Sequence, residues 1–253
     1  MEKIIITSRK NDTVKEVCAL SSSKGRNEQN AFFIEGVKLW REAADAGFLP
    51  KAVFLTEDVS EEILGDGCVD SFHSVTREVY EKMSEQSAPE GCLFVFEKFQ
   101  LEPEKDSFTL LLEGIQDPGN LGTILRSAAA FGCREVVGVG CCDVFSPKCT
   151  RATMGALFRV PYKAFDTLDE ALSYLGSVKL YAAALTEDAV DFSGEDTSRA
   201  CIMIGNEGHG LSAEALERSD KRIIIPIESV ESLNASVAAS ILLCDAARKR
   251  EKR

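Results

Sequence analysis

The amino-acid sequence predicts an α/β protein in two parts: a smaller α/β unit, then a C-terminal domain built on a mostly parallel sheet. Three observations carry this. From Phe108 onward, short apolar runs alternate with segments of helical period, the pattern of strand–loop–helix units with helices on both faces of a sheet. Residues 1–97 hold strand and helix signals of their own. Between them Lys98 to Ser107 (KFQLEPEKDS) is polar and contains a proline, the composition of a linker. Domains are therefore expected at 1–97 and 108–253, joined by 98–107, and a chain of 253 residues accommodates both.

In the first part, Asp12 or Thr13 is positioned to cap a helix carrying Val14, Val17, Cys18 and Leu20. Residues 21–26 read as a polar loop with two cations, Lys24 and Arg26, either solvated or in contact with phosphate. Strands are expected at 31–35, 52–56, 69–74 and 93–96, and helices at 37–46, stopped by Gly47, and 77–84.

In the second part, a strand at 108–112 runs into the loop 113–119. Asn120 is expected to cap a helix that Gly132 stops. Further strands are expected at 135–139, 160–164 and 179–184, and helices at 148–157 and 168–175. Cys201 to Ile204 is an apolar run that opens into Gly205-Asn206-Glu207-Gly208-His209-Gly210, where glycine permits positive φ and lets a ligand approach bare backbone. The next strand, from Ile223, must end or leave the sheet at Pro226, which has no N–H to donate. Ser232-Leu233-Asn234 then opens a last helix with Val237, Ala238, Ile241, Leu242 and Ala246 as its apolar face and Arg248-Lys249-Arg250 at its C-terminal end.

Composition narrows the function. A net charge of −12 excludes a generally basic nucleic-acid binder and leaves local cationic clusters to make any such contact. Nine scattered cysteines with no CxxC pair make neither a disulfide framework nor a zinc site, so a reduced cytosol fits and no metal is expected. No apolar run is long enough to span a bilayer, and no membrane partner is expected.

Two stretches carry candidate chemistry. In the helix after Asn120, Leu121, Leu125 and Ala128 should face the core, while Gly122, Arg126, Ala129 and Cys133 form a second stripe, an arginine among small residues that a bulky anion can approach. Spacing alone favours a surface ion pair for Arg126. In the glycine loop, Glu207 reads as a general base, a ribose ligand or a solvated turn residue, and His209 as a turn residue or a catalytic one. Neither a G-x-G-x-x-G turn nor a G-x-x-x-x-G-K-[ST] loop is present, which sets aside a nucleotide-dependent oxidoreductase.

The order of these elements adds more. Asn120-x-Gly122-x3-Arg126, then Gly205-x-Glu207-x-x-Gly210, then Ile225-Pro226…Ser232-Leu233-Asn234 together resemble the three motifs of the SpoU (TrmH-type) RNA ribose 2′-O-methyltransferases of the knotted SPOUT class. Ser146-Pro147-Lys148 with Arg151 and Gly155 to Arg159 is similar to the segment that follows the first motif. The N-terminal part, with Lys24, Arg26 and Phe33-Ile34-Glu35-Gly36, is similar to the substrate-binding domain many members carry.

The resemblance implies a deep trefoil knot at the C-terminal end, an exception to the rule against threading. It implies S-adenosylmethionine as cofactor, held near Gly205, Gly210, Ile225, Ile227 and Leu233. It implies Asn120, Arg126, Glu207, Ser232 and Asn234 as the catalytic set, with Arg126 supplied by the other subunit of a homodimer. RNA contacts fall to Lys24, Arg26, Arg126, Lys148 and Arg151. The expected activity is methylation of a ribose 2′-hydroxyl in structured, ribosomal RNA; the alternatives are a transfer RNA methyltransferase or a non-catalytic RNA-binding assembly factor. One departure stands out. The loop from Ile227 to Glu231 is one residue shorter than is usual in the family and lacks its glycine.

Overall fold

The computed structural model describes residues 2–65, 69–104 and 106–251. They form two compact units: the chain up to Phe99 together with Asp143–Phe158, and Gln100–Cys142 together with the chain from Arg159 onward.

The first unit runs β1 (Glu2–Ile6), α1 (Asp12–Ala19), α2 (Ser23–Gln29), β2 (Ala31–Glu35), α3 (Val37–Asp45), β3 (Ala52–Thr56), β4 (Ser71–Val75), α4 (Arg77–Met83) and β5 (Cys92–Glu97). Its five-stranded sheet has the order β1-β4-β3-β5-β2. β1, β4 and β3 are parallel, and β5 runs antiparallel to both its neighbours. Two sequence expectations are corrected here. Asn11, not Asp12 or Thr13, caps α1, its side chain accepting from the Thr13 N–H. Residues 21–26 are not a loop: Ser22 accepts from the Gly25 N–H and starts α2. β1 had no sequence signal because its apolar residues do not alternate; Ile5 is 69% exposed at the sheet edge.

In the second unit β6 (Thr109–Glu113) leads to α5 (Pro118–Ala130) and β7 (Val136–Val139). Helix α6 (Pro147–Thr153) follows in the segment that packs with the first unit. The second unit resumes with β8 (Tyr162–Phe165), α7 (Leu168–Leu175), β9 (Leu180–Ala183), β10 (Val190–Asp191), β11 (Cys201–Ile204), α8 (Ala213–Arg218), β12 (Lys221–Ile224) and α9 (Ala235–Glu251). All pairings in its seven-stranded sheet, order β10-β12-β9-β11-β6-β7-β8, are parallel. The parallel α/β architecture expected from the sequence is thus observed. β6 and β11 lie mid-sheet and are buried along nearly their whole length, which is why they read as unbroken apolar runs.

Three local differences have physical causes. Helix α6 ends at Thr153, short of the expected 157, because Met154 (φ 50) and Gly155 (φ 92) turn left-handed. β12 stops at Ile224, before Pro226 could break its ladder. In α9 the buried side is Ala235, Ser236, Ala239, Leu242, Leu243, Ala246 and Ala247, while Val237 is 46% exposed. The expected apolar face is therefore rotated: small residues let α9 approach α5, where the Ser240 and Ser127 hydroxyls meet at 2.7 Å. Among the described residues no helix is long and apolar enough to cross a membrane.

The segment 143–158 completes the first unit. Edge strand β2 is buried at every position, and Phe32 packs on Phe145 with ring centroids 4.8 Å apart. The bare edge of β2 is covered rather than left as a template for pairing.

Candidate active site

Loops at the carboxyl ends of β6, β9, β11 and β12 converge on the edge where parallel α/β sheets hold ligands. Those after β9, β11 and β12, with the start of α9, line a cavity of about 470 Å³, within the range of cofactor pockets. Gly205, Gly210, Ile225, Ile227 and Leu233, the five expected cofactor residues, all line it, and so do Glu207 and Ser232.

Backbone packing explains the glycines. A Cβ on Gly205 would lie 2.0 Å from the Gly210 carbonyl carbon, so no side chain fits there. Asn206 and Gly210 exchange backbone hydrogen bonds at 3.1 and 2.8 Å, closing the loop on itself. The Asn206 side chain donates to the Gly114 carbonyl at 2.8 Å and accepts from the Gly208 N–H at 2.7 Å, which anchors the β11 loop to the β6 loop. Gly210 has φ 69, where a side chain is strained.

The polar residues join at the rim. Asp117, not Asn120, is the cap of α5, its carboxylate accepting from the Asn120 N–H at 2.9 Å. This correction matters, because a capping side chain is occupied with its own helix. With Asp117 in that role, the Asn120 amide is available to donate to the Glu207 carboxylate. Asn234 donates to Asn120 at 3.1 Å and, through its own carbonyl oxygen, caps α9 at the Ser236 N–H, 2.9 Å away. The three expected motifs thus meet through Glu207, Asn120 and Asn234. Arg126 lies on α5 and is exposed, with no side-chain hydrogen bond or ion pair among the described residues.

The loop from Ile227 to Glu231 touches the cavity with its two ends, while its tip at Glu228–Val230 is exposed. Ser229 takes φ 64, supplying without glycine the left-handed turn the shortened loop requires. Sequence reading missed Ala183, Leu185 and Glu231 as cavity residues. The position of the first two, at the end of β9 and just after it, was the available signal.

The expected RNA contacts divide. Lys24 projects from α2 with its side chain 82% exposed. Arg26 is buried: it pairs with Asp143 at 2.8 Å and donates to the Leu20 and Ser21 carbonyls at 2.8 and 2.9 Å. Its guanidinium is committed to the fold of the first unit, which corrects the reading as a phosphate contact. Lys148 is exposed and Arg151 half-buried on α6. Burial pushes the Cys141 and Cys201 thiols up, so neither is a ready thiolate nucleophile.

Fold and site together define an α/β protein that holds a small ligand against glycine-rich backbone at the carboxyl edge of a parallel sheet. Residues 107–244 match the SpoU rRNA Methylase family, and residues 11–93 match the MRM3-like substrate binding domain. The chain is 34% identical to an uncharacterized tRNA/rRNA methyltransferase of Synechocystis sp., covering 97% of this chain and 94% of the relative. It is 31% identical to the 23S rRNA (guanosine(2553)-2′-O)-methyltransferase RlmP of Bacillus subtilis, covering 94% of this chain and 97% of that one. A crystal structure of an AdoMet-bound rRNA methyltransferase from Sinorhizobium meliloti superposes with a TM-score of 0.86 at 29% identity, covering 97% and 98% of the two chains. The chain belongs to the SpoU rRNA methylase family.

Proposed function

We propose that this protein transfers a methyl group from S-adenosylmethionine to a ribose 2′-hydroxyl of structured RNA, ribosomal RNA in particular. The observation that carries this is the meeting of three separated motifs at one cavity, through the Glu207–Asn120–Asn234 hydrogen bonds. The cavity fits such a cofactor: its walls are largely apolar, and Gly205 lets the loop after β11 fold back on Gly210 without a side chain between them. When bound, S-adenosylmethionine supplies an electrophilic methyl group.

The chain's own residues do the rest. Ile225, Ile227 and Leu233 give apolar surface for a flat base, and Gly205 lets main chain approach it. Ser232, Asn234 and Glu207 orient the methionine part and the target nucleotide. Arginine stays protonated at any working pH, so Arg126 acts as a cation, polarising the hydroxyl or holding the adjacent phosphate, rather than as an ordinary base. Lys24, Lys148 and Arg151 are the candidates for RNA backbone contact.

The finer reading is a cytoplasmic homodimer with a trefoil-knotted C-terminal domain, in which Arg126 serves the partner's cofactor. The rotated α9 supports the dimer. Val237, Ile241 and Cys244 line a groove of about 500 Å³ with Thr123 of α5, an apolar strip that a second copy would cover. The domain reading of 1–97, linker 98–107 and 108–253 is kept, with the segment 143–158 packing with the N-terminal part. A loop that still reaches the cavity at Ile227 and Glu231 supports an enzyme over a non-catalytic assembly factor.

The test is ribose-methylation mapping of total RNA with and without the gene, together with methyl transfer by the purified protein. Arg126→Ala should abolish transfer with little change in S-adenosylmethionine affinity. An equal loss of both would move Arg126 from chemistry to structure. Sedimentation at micromolar concentration should show twice 27.6 kDa; an active monomer would sink the shared-site arrangement.

A further inference from the structure

The cavity is charged in one sense only. Among the described residues its lining holds two carboxylates, Glu207 after β11 and Glu231 after β12, and no lysine or arginine. Glu207 is engaged by the Asn120 amide. Glu231 has no side-chain hydrogen bond or ion pair among the described residues. Its position is fixed from both sides: the positive-φ turn at Ser229 brings the chain back, and Ser232 and Leu233, which follow Glu231, line the cavity too. A carboxylate at the mouth of an apolar cavity favours a cationic occupant, and low-dielectric walls strengthen the attraction.

S-adenosylmethionine and its product differ in this respect. The cofactor carries a sulfonium and a net charge of about +1 at neutral pH; S-adenosylhomocysteine, a neutral thioether, carries a net charge of about zero. We propose that Glu231, together with Glu207, is a specificity determinant that selects the sulfonium form over the demethylated product. Methyl transfer removes the charge that these carboxylates attract, so the product is held less tightly than the cofactor and leaves. The inference rests on the cofactor reading above and adds a role that the sequence motifs do not give to Glu231.

Calorimetric titration of the full-length protein tests it with three ligands: S-adenosylmethionine, S-adenosylhomocysteine, and sinefungin, which bears an ammonium near the sulfonium position. At pH 8, Glu231→Gln should weaken both cationic ligands by roughly two- to five-fold, the scale of an exposed charge pair, and leave the thioether nearly unchanged. Glu231→Lys should enlarge the difference, and ionic strength near 0.5 M should shrink it in both variants. Glu231 is exposed, so neither variant threatens folding. Equal weakening of all three ligands, or of none, overturns the charge selection and leaves the cofactor reading standing. Failure of the unsubstituted protein to bind any of them overturns both.

Discussion

Asn234 donates its side-chain amide to the side-chain oxygen of Asn120 across 3.1 Å, joining the first turns of α9 and α5. Asn120 passes its own amide on to Glu207. One neutral side chain, serving as acceptor and donor at once, therefore sets the spacing of three loops. Asn120→Asp keeps the shape and removes the donor. Two carboxylates then face each other at hydrogen-bond distance, and one of them must take up a proton for the contact to survive. The variant should lose about ten-fold or more in methyl transfer at pH 8 and recover part of it near pH 6, a slope absent from the parent, because two facing carboxylates titrate as a coupled pair with a raised upper pKa. A pH–rate profile checks this; parallel profiles would mean that the Asn120 amide is not needed as a donor.

Ser229 holds φ 64 at the tip of a loop whose two ends reach the cavity. Left-handed backbone costs an L-residue about 1 kcal/mol, more for a β-branched one. Ser229→Gly should be neutral or stabilising, and Ser229→Val should lie about 1 kcal/mol or more below it in urea unfolding. Ser229 is not a cavity residue, so cofactor affinity should change less for Ser229→Gly than for Ser229→Val, which distorts the loop.

Lys24 and Arg26 sit two residues apart on α2 and should separate cleanly on mutation. Arg26 has its side chain 4% exposed against Asp143 and two carbonyls. Arg26→Ala takes the donor from one buried and two part-buried acceptors and should destabilise the protein by about 2–4 kcal/mol. Lys24→Ala, at 82% exposure, should leave stability unchanged and weaken RNA binding with a reduced salt slope. Denaturation and RNA titrations at two salt concentrations distinguish them.

His73 gives the first unit a pH dependence. Its ring stacks on Phe54 at 4.7 Å, its Nδ1 is buried without a partner, and burial holds its pKa below the ordinary value. A lowered folded-state value means that folding favours the neutral ring. Above about pH 6.5 both folded and unfolded chains are neutral and stability is intact. As pH falls below that point the unfolded chain takes up a proton the folded unit resists, and stability drops until the folded value is reached. His73→Phe keeps a stacked ring and should flatten the decline between pH 7.5 and 5.5 in urea titrations run at several pH values.

How much of this was legible in the sequence follows from the range of the forces involved. β2, β3, β11 and α7 are apolar or periodic in themselves, so local pattern locates them. The three motifs were legible through their resemblance, in order, to those of a known family. Burial of Arg26 was not legible: its partner Asp143 is 117 residues away, and exposure of a cation is decided by what folds over it. The same holds for Asn120. Asp and Asn both cap helices well, and only the position of Pro118 at the start of α5 marks Asp117 as the cap. The buried side of α9 was misjudged because hydrophobicity favoured Val237 and Ile241, whereas close packing against α5 selected alanines and serines.

The last prediction concerns the first unit as a separate piece. Cutting the gene at the apparent linker would yield residues 1–99 without the segment 143–158. In the intact chain Phe32 is fully buried, and its ring lies 5.7 Å from Phe96, 6.0 Å from Phe99, 4.8 Å from Phe145 and 6.4 Å from Phe158. Two of those four rings belong to the missing segment, and so does Asp143, the carboxylate on Arg26. A 1–99 fragment would therefore expose an aromatic surface along the edge strand β2 and leave a buried guanidinium without its charge partner, two conditions that promote edge-to-edge association. It should aggregate, or melt at least about 10 °C below a version in which a flexible linker appends residues 143–158, since a loss of about 2 kcal/mol shifts the midpoint of a domain this size by that much. Circular dichroism melts and size-exclusion profiles of the two fragments decide the matter. A 1–99 fragment that is monomeric and as stable as the extended one would show that segment 143–158 merely rests on the unit and does not complete it.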